Sequence, residues 1–142
     1  MIPPFDASSG YLPAGEHLAA WVEFAARFGG NAARNRLLEG LLRMAKNLAD
    51  AGCGFFLVGG SFVTDKPRPG DYDACCDFSG VNPRKLDLKL LGTREEVRAE
   101  FYGELFPDHY MADDDYTFRE FFQTDRDGNP KGVIRLDLNT LP

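Results

Sequence analysis

Hydrophobic positions in the first third of the chain recur at the period of a helix. Residues 16–28 are predicted to form an amphipathic helix that ends at Gly29, because apolar side chains recur at steps of three and four. These side chains are Trp21, Phe24, Ala25 and Phe28. Asn31 is the predicted N-cap of a longer helix, whose apolar stripe covers residues 37–49 and stops at Gly52.

The hydrophobic pattern then changes, and three short segments have the composition of strands. These segments are residues 55–58, 71–78 and 133–138. The first is an unbroken apolar run between glycines, which is typical of a buried strand. In the second, successive side chains alternate, so that Asp71, Asp73 and Cys75 share one face. The third follows a dense turn signal at residues 125–130.

Two further helices are predicted between the second and third strands. Residues 83–91 form one, and residues 93–106 form the other, which begins with Thr93 and Glu96 in the spacing of a capping box. Helices and strands therefore interleave around what we expect to be one mixed sheet. This order of elements predicts an α+β fold in which helices flank the sheet.

The length and composition of the chain predict a single domain. With 142 residues, 44% of them apolar, the chain is long enough to bury a core of its own. Residues 1–15 contain three prolines and two glycines, so we expect an irregular N-terminal arm there. Residues 16–142 then form the domain itself.

Charge and the apolar pattern exclude several classes of protein. The net charge of -6 disfavours a surface built to neutralise nucleic-acid phosphates, so any bound phosphate is expected to meet local groups and a metal ion. No apolar run is long enough to span a bilayer and no secretion signal is recognisable, which predicts a cytoplasmic protein without membrane contact. Three cysteines, two of them adjacent, suit apolar packing better than a disulfide framework or a zinc cluster.

The most informative chemistry lies between the first two predicted strands. The first strand ends in a turn at Gly60 and Ser61, where backbone N–H groups can approach a polyphosphate and the hydroxyl adds a donor. After nine intervening residues, Asp71 and Asp73 follow at positions i and i+2 of a strand. Their carboxylates point the same way about 7 Å apart, so they can share hard divalent cations.

This segment resembles the signature of the DNA polymerase beta-like nucleotidyltransferase superfamily, in which Gly-Ser precedes Asp-x-Asp by about ten residues. Members supply a third carboxylate from a later strand, and Asp137, between two leucines of the last predicted strand, fits that role. The chain is also similar to small stand-alone bacterial and phage proteins of this superfamily. The similarity includes the Pro-Pro-Phe start at residues 3–5, the loop at residues 60–67 and the Phe-Phe-Gln…Asn-Pro-Lys-Gly segment at residues 121–132.

The resemblance implies that a hydroxyl attacks the alpha-phosphate of a nucleoside triphosphate. Asp71, Asp73 and Asp137 would hold two magnesium or manganese ions, and Gly60 with Ser61 would grip the triphosphate. The transferred group is expected to be AMP, and the acceptor a protein or RNA hydroxyl. The sequence does not rank the basic residues that offset charge on the leaving group, and Lys66 is included in the predicted nucleotide site. These basic residues are Lys66, Arg68, Lys131 and Arg135.

The resemblance leaves two alternatives to an active transferase. One is a partner-binding protein, such as an antitoxin or a member of a phage-defence pair, and the other is a nucleotide sensor without turnover. Larger members of the superfamily have an additional helical domain, whereas this chain ends five residues after Asp137. We therefore expect a cleft with one open side, which a second subunit or a partner protein completes.

Other polar clusters favour structural interpretations. Asp113, Asp114 and Asp115 are expected to form a solvated loop. Residues 125–129 resemble the start of a calcium loop, but Leu136 occupies the position of its last ligand, so we predict a hairpin turn. The histidines, His17 and His109, do not complete a nucleophile–base set. The aromatic segment 116–122 is expected to pack in the core, with base stacking as a minor alternative.

Overall fold

Five strands form one mixed sheet in a computed structural model that describes all residues from Met1 to Pro142. The strands are β1 (Glu16–Ala19), β2 (Phe56–Gly59), β3 (Tyr72–Cys76), β4 (Gly103–Pro107) and β5 (Val133–Leu136). Their order across the sheet is β1-β5-β2-β3-β4. The outer pairs β1–β5 and β3–β4 are parallel, and β2 is antiparallel to both of its neighbours. This confirms the predicted α+β class.

Four α-helices accompany the sheet. They are α1 (Trp21–Phe28), α2 (Ala32–Asp50), α3 (Arg94–Phe101) and the single turn α4 (Phe118–Phe121). The main core includes apolar side chains of α1, α2 and α3 and one face of the sheet, and a smaller cluster that includes Leu57, Cys75 and Phe122 covers the opposite face. All three cysteines are buried and unpaired. None of the helices has the length and apolar character that a membrane span requires.

The N-terminal region differs from the predicted helix over residues 16–28. Residues 16–19 form the edge strand β1 instead, and the helix begins at Trp21. The apolar residues with helical spacing all lie from Trp21 onward. Residues 16–19 are therefore not needed for the apolar face of the helix, and they pair with β5 instead. The predicted N-cap of the second helix is confirmed, because the Asn31 side chain accepts a hydrogen bond from the backbone N–H of Arg34.

The predicted helix over residues 93–106 is half helix and half strand. Its capping box is confirmed, but the helix ends at Phe101, Tyr102 turns with φ 69°, and the chain continues as β4. A side chain at Gly103 would lie 2.5 Å from the Tyr72 ring, so the strand begins where glycine allows close contact with β3. The predicted helix over residues 83–91 is wrong as well: two short 3-10 helices, Pro83–Lys85 and Leu88–Leu91, occupy that segment.

The guanidinium group of Arg34 is buried on α2 and fixes the loop that follows β2. The group donates hydrogen bonds to four backbone carbonyls, at 2.6–3.0 Å. The acceptors are Phe28, Phe62, Thr64 and Lys66. Three of the four belong to the segment after Gly60, so one side chain holds that segment against α1 and α2.

We expect replacement of Arg34 by methionine to destabilise the protein by about 3 kcal/mol or more, since buried carbonyls would lose their donors. Urea unfolding followed by circular dichroism measures this change. Lys46→Met is the matched control, because Lys46 lies exposed on the same helix. If both variants unfold at the same urea concentration, the Arg34 hydrogen bonds do not stabilise the loop.

Candidate functional site

The turn after β2 lies directly against a carboxylate of β3. Gly59 pairs with Asp73 in the antiparallel register, and Gly60 then adopts a positive φ of 78°. A Cβ atom at Gly60 would lie 2.9 Å from Asp73 Oδ2. Glycine is therefore required at this position both for the backbone conformation and for the contact with the carboxylate.

A cleft of about 880 Å³ opens at this end of the sheet. One wall contains Gly60, Ser61, Asp71 and Asp73, so four of the six predicted site residues lie together. The opposite wall is formed by Tyr11 and side chains of residues 113–131. A cleft of this volume is within the usual range for sites that bind small molecules.

Asp73 is a carboxylate of the cleft whose pKa the surroundings raise. Burial raises its pKa, and the negative charge of Asp71 raises it further, whereas Lys131 and two arginines on α3 act in the opposite direction. Asp73 is half-buried, and no basic group lies within ion-pair distance of it. Within the carboxylate pair, it is therefore Asp73 that lacks a close cation.

Lys131 and Arg126 are the basic residues that line the cleft, and Lys66 is not among them. Lys131 lines the cleft, its ammonium group lies 5.3 Å from the centre of the Tyr11 ring, and burial lowers its pKa against the opposing charges of Asp73 and Asp125. The side chain of Lys66 is exposed and outside the cleft lining. The structure therefore places the predicted nucleotide-site residue Lys66 outside the cleft that Gly60 and Ser61 line, and Arg34 binds its backbone carbonyl.

Asp137 does not line the cleft, so its position differs from the predicted one beside Asp71 and Asp73. β5 is antiparallel to β2, with Leu57 opposite Arg135, so Val133 is level with Gly59, and Asp137 lies four residues, or roughly 13 Å, away towards the opposite end of the sheet. Its side chain accepts a hydrogen bond from the backbone N–H of Asn139 at 3.0 Å, as the cap of a 3-10 helix.

Glu104 is the carboxylate that stands beside the pair, and the sequence analysis missed it. In the parallel β3–β4 register, Glu104 is opposite Asp73, so the two side chains point to the same face of the sheet. Glu104 is only 5% exposed. It was assigned to a predicted helix; the sequence signal against that helix was Gly103, a residue that commonly ends helices.

Two arginines of α3 hold the Glu104 carboxylate. Arg94 Nη2 lies 2.7 Å from Glu104 Oε2, and Arg98 contacts the other carboxylate oxygen. Arg98 also reaches Asp71, with 3.8 Å between Nε and Oδ2. Glu104 does not line the cleft, and no three carboxylate, imidazole or thiol groups converge as a metal centre. The site as it stands is thus a carboxylate pair with a third carboxylate neutralised beside it.

The wall opposite the carboxylates includes a turn and exposed aromatic rings. Asp125 accepts hydrogen bonds from the backbone N–H groups of Asp127 and Asn129, which confirms the predicted hairpin turn. The aromatic segment divides: Phe118 and Phe122 pack against Phe106, at 4.3 and 6.2 Å between ring centres. Tyr116 and Phe121, in contrast, are exposed and line the cleft.

A protein-family model matches residues 3–137, which is nearly the whole chain, and it is described as a family of unknown function. No curated protein and no solved structure matches the chain. The chemistry of the cleft must therefore be argued from its own residues.

The raised pKa of Asp73 predicts how the stability of the folded protein changes with pH. The folded protein holds this proton more tightly than the unfolded chain, so stability falls as the pH rises from the ordinary value of 3.8 through the folded pKa. Asp73→Asn removes the charge, and we expect the metal-free variant to be more stable than the wild type at neutral pH. The gain should disappear at about pH 4 and below, as measured by urea unfolding across this range.

Asp77→Asn serves as the comparison, because the backbone and side chain of Ser79 lower the pKa of Asp77 by hydrogen bonding. The ionised form of Asp77 therefore stabilises the folded protein, and the Asp77→Asn variant should lose stability at neutral pH. If the two variants change in stability by the same amount at neutral pH, Asp73 is not a carboxylate whose pKa folding raises.

Proposed function

The chain belongs to that family, DUF6932, and we propose that it is a metal-dependent nucleotidyltransferase, which moves a nucleoside monophosphate from a triphosphate to a hydroxyl. The main support is that the Gly60-Ser61 turn and the Asp71–Asp73 pair line one cleft. The transferred group in this proposal is AMP, and the acceptor is a protein or RNA. Membership of the polymerase beta-like superfamily is part of the same proposal.

The chemistry of the carboxylates fits a divalent cation. Magnesium in nucleotide sites is commonly held by one or two protein carboxylates together with substrate phosphates, which matches Asp71 and Asp73. Burial and the negative charge of Asp71 disfavour the ionised form of Asp73, and a bound cation would offset both effects. When bound, magnesium or manganese would lower the pKa of the attacking hydroxyl and neutralise charge on the leaving group. Glu104 is the third ligand in this proposal, in place of Asp137.

The remaining cleft residues have the chemistry to bind the rest of a nucleotide. Backbone N–H groups at Gly60 and the Ser61 hydroxyl are suited to phosphate oxygens. Lys131 offers a positive charge inside the cleft, close to Asp73. The exposed rings of Tyr116 and Phe121 on the opposite wall offer faces on which a base can stack.

A nucleotide sensor without turnover is the second candidate. It is favoured by one observation, which is that Arg94 and Arg98 occupy the Glu104 carboxylate, so that three ligands do not converge. A binding site that uses only Asp71, Asp73 and the Gly60 turn could hold a metal–triphosphate complex without activating an acceptor. A protein partner or a second subunit that completes the open side of the cleft stays a prediction.

The proposal is tested by incubating the protein with each radiolabelled nucleoside triphosphate, magnesium or manganese, and cell lysate. We expect label to be transferred to a macromolecule, and the melting temperature to rise only when metal and triphosphate are both present. The Asp71→Asn, Asp73→Asn double variant should be folded but show neither effect. Binding without transfer would support the sensor, and the absence of both would leave partner binding as the function.

Glu104 and Asp137 can be distinguished by a matched pair of amide substitutions. Glu104→Gln should lower transfer by roughly 10- to 100-fold, since a metal ligand is lost. Asp137→Asn should transfer at the wild-type rate, because Asp137 caps a turn at the other end of the sheet. Transfer rates are compared at saturating triphosphate, with circular dichroism as a control for folding. The reverse result would restore Asp137 as the third carboxylate.

A further inference from the structure

Arg98 lies between two carboxylates, and the proposed function assigns no role to this residue. Its guanidinium group contacts Glu104 through one nitrogen and lies 3.8 Å from Asp71 through Nε. A guanidinium ion at that place takes up carboxylate oxygens that a divalent cation also requires. Glu104 is opposite Asp73 in the sheet, but both of its carboxylate oxygens contact arginines of α3.

We propose that Arg98 holds the place of a divalent cation between Asp71 and Glu104 in the metal-free protein, and moves to a phosphate of the nucleotide once the cation binds. This inference rests on the proposed function, because it assigns the regulation and the phosphate contact of the same site. Arg98 is in this view a positioning residue whose two partners are exchanged during binding.

Burial of Glu104 is the reason why a substitute cation is needed. A carboxylate that is 5% exposed is costly unless a positive charge and hydrogen bonds compensate it. Arg94 and Arg98 supply that compensation from α3, one turn apart. Only Arg98 also reaches Asp71, so Arg98 is the residue that must leave before Asp71 and Glu104 can bind one ion.

Arg98 has the freedom and the chemistry to contact phosphate after it leaves. Its side chain is 52% exposed, so its movement does not require the core to repack. Guanidinium groups bind phosphate through two parallel hydrogen bonds.

The test is a pair of affinities measured by calorimetry on the full chain. Arg98→Ala should bind Mn²⁺ about fivefold more tightly than the wild type when no nucleotide is present, because a competing ion pair is lost. With saturating Mn²⁺, the same variant should bind ATP about tenfold more weakly, because a charged hydrogen bond to phosphate is lost. Arg98→Lys should lie between the wild type and Arg98→Ala in both measurements.

Lys89→Ala is the control for net charge, since Lys89 pairs with Glu100 on the surface and contacts none of the three carboxylates. It should leave both affinities unchanged. If Arg98→Ala and the wild type bind Mn²⁺ equally well, or if the variant binds it more weakly, the inference is overturned while the metal site stands. If neither protein binds Mn²⁺, the metal site of the proposed function is overturned together with the inference. Should Arg98→Ala fail to fold, the same comparison is made with Arg98→Lys.

Discussion

The four hydrogen bonds of the buried Arg34 guanidinium constrain the part of the molecule on which the cleft depends. An apolar side chain cannot donate hydrogen bonds to these four carbonyl groups. A lysine ammonium group has only three donors and lacks the planar arrangement of N–H groups in a guanidinium group. Burial lowers the pKa of Arg34, and Asp65 opposes that effect. Because Phe62, Thr64 and Lys66 are held by one rigid group, the Gly60-Ser61 turn starts from a fixed backbone. A turn that is to bind phosphate through its backbone benefits from this rigidity.

Burial and charge act differently on two neighbouring carboxylates, Glu104 and Asp73. Glu104 is buried and satisfied by arginines, whereas Asp73 is half-buried and has no ion-pair partner. The two carboxylates are neighbours in the sheet, so a positive charge that moves from one towards the other changes both. Arg98, which contacts both Glu104 and Asp71, thus connects the buried carboxylate with the carboxylates of the cleft.

The sequence predicted those parts of the fold and site that depend on neighbouring residues. The Asn31 cap, the Thr93 capping box, the Gly60 turn and the shared face of Asp71 and Asp73 all follow from short-range geometry. Strand order and direction depend on contacts between distant segments, which short-range patterns do not specify. Asp137 was assigned from the superfamily resemblance and its apolar neighbours, but the antiparallel pairing of β5 with β2 places it at the opposite end. Glu104 was missed for the same reason, since only the register of β4 against β3 reveals it.

The position of β5 in the sheet has a consequence for how the protein folds. β5 is the last strand in the sequence, yet it lies between β1, the first strand, and β2. β1 has no other neighbour in the sheet, so its sheet hydrogen bonds and its connection to β2 both depend on β5. The two pairings that finish the sheet thus join residues more than seventy positions apart, and closing such long loops is slow. Until that step, the edge of β2 stays open to pairing with another chain, so delayed insertion favours aggregation.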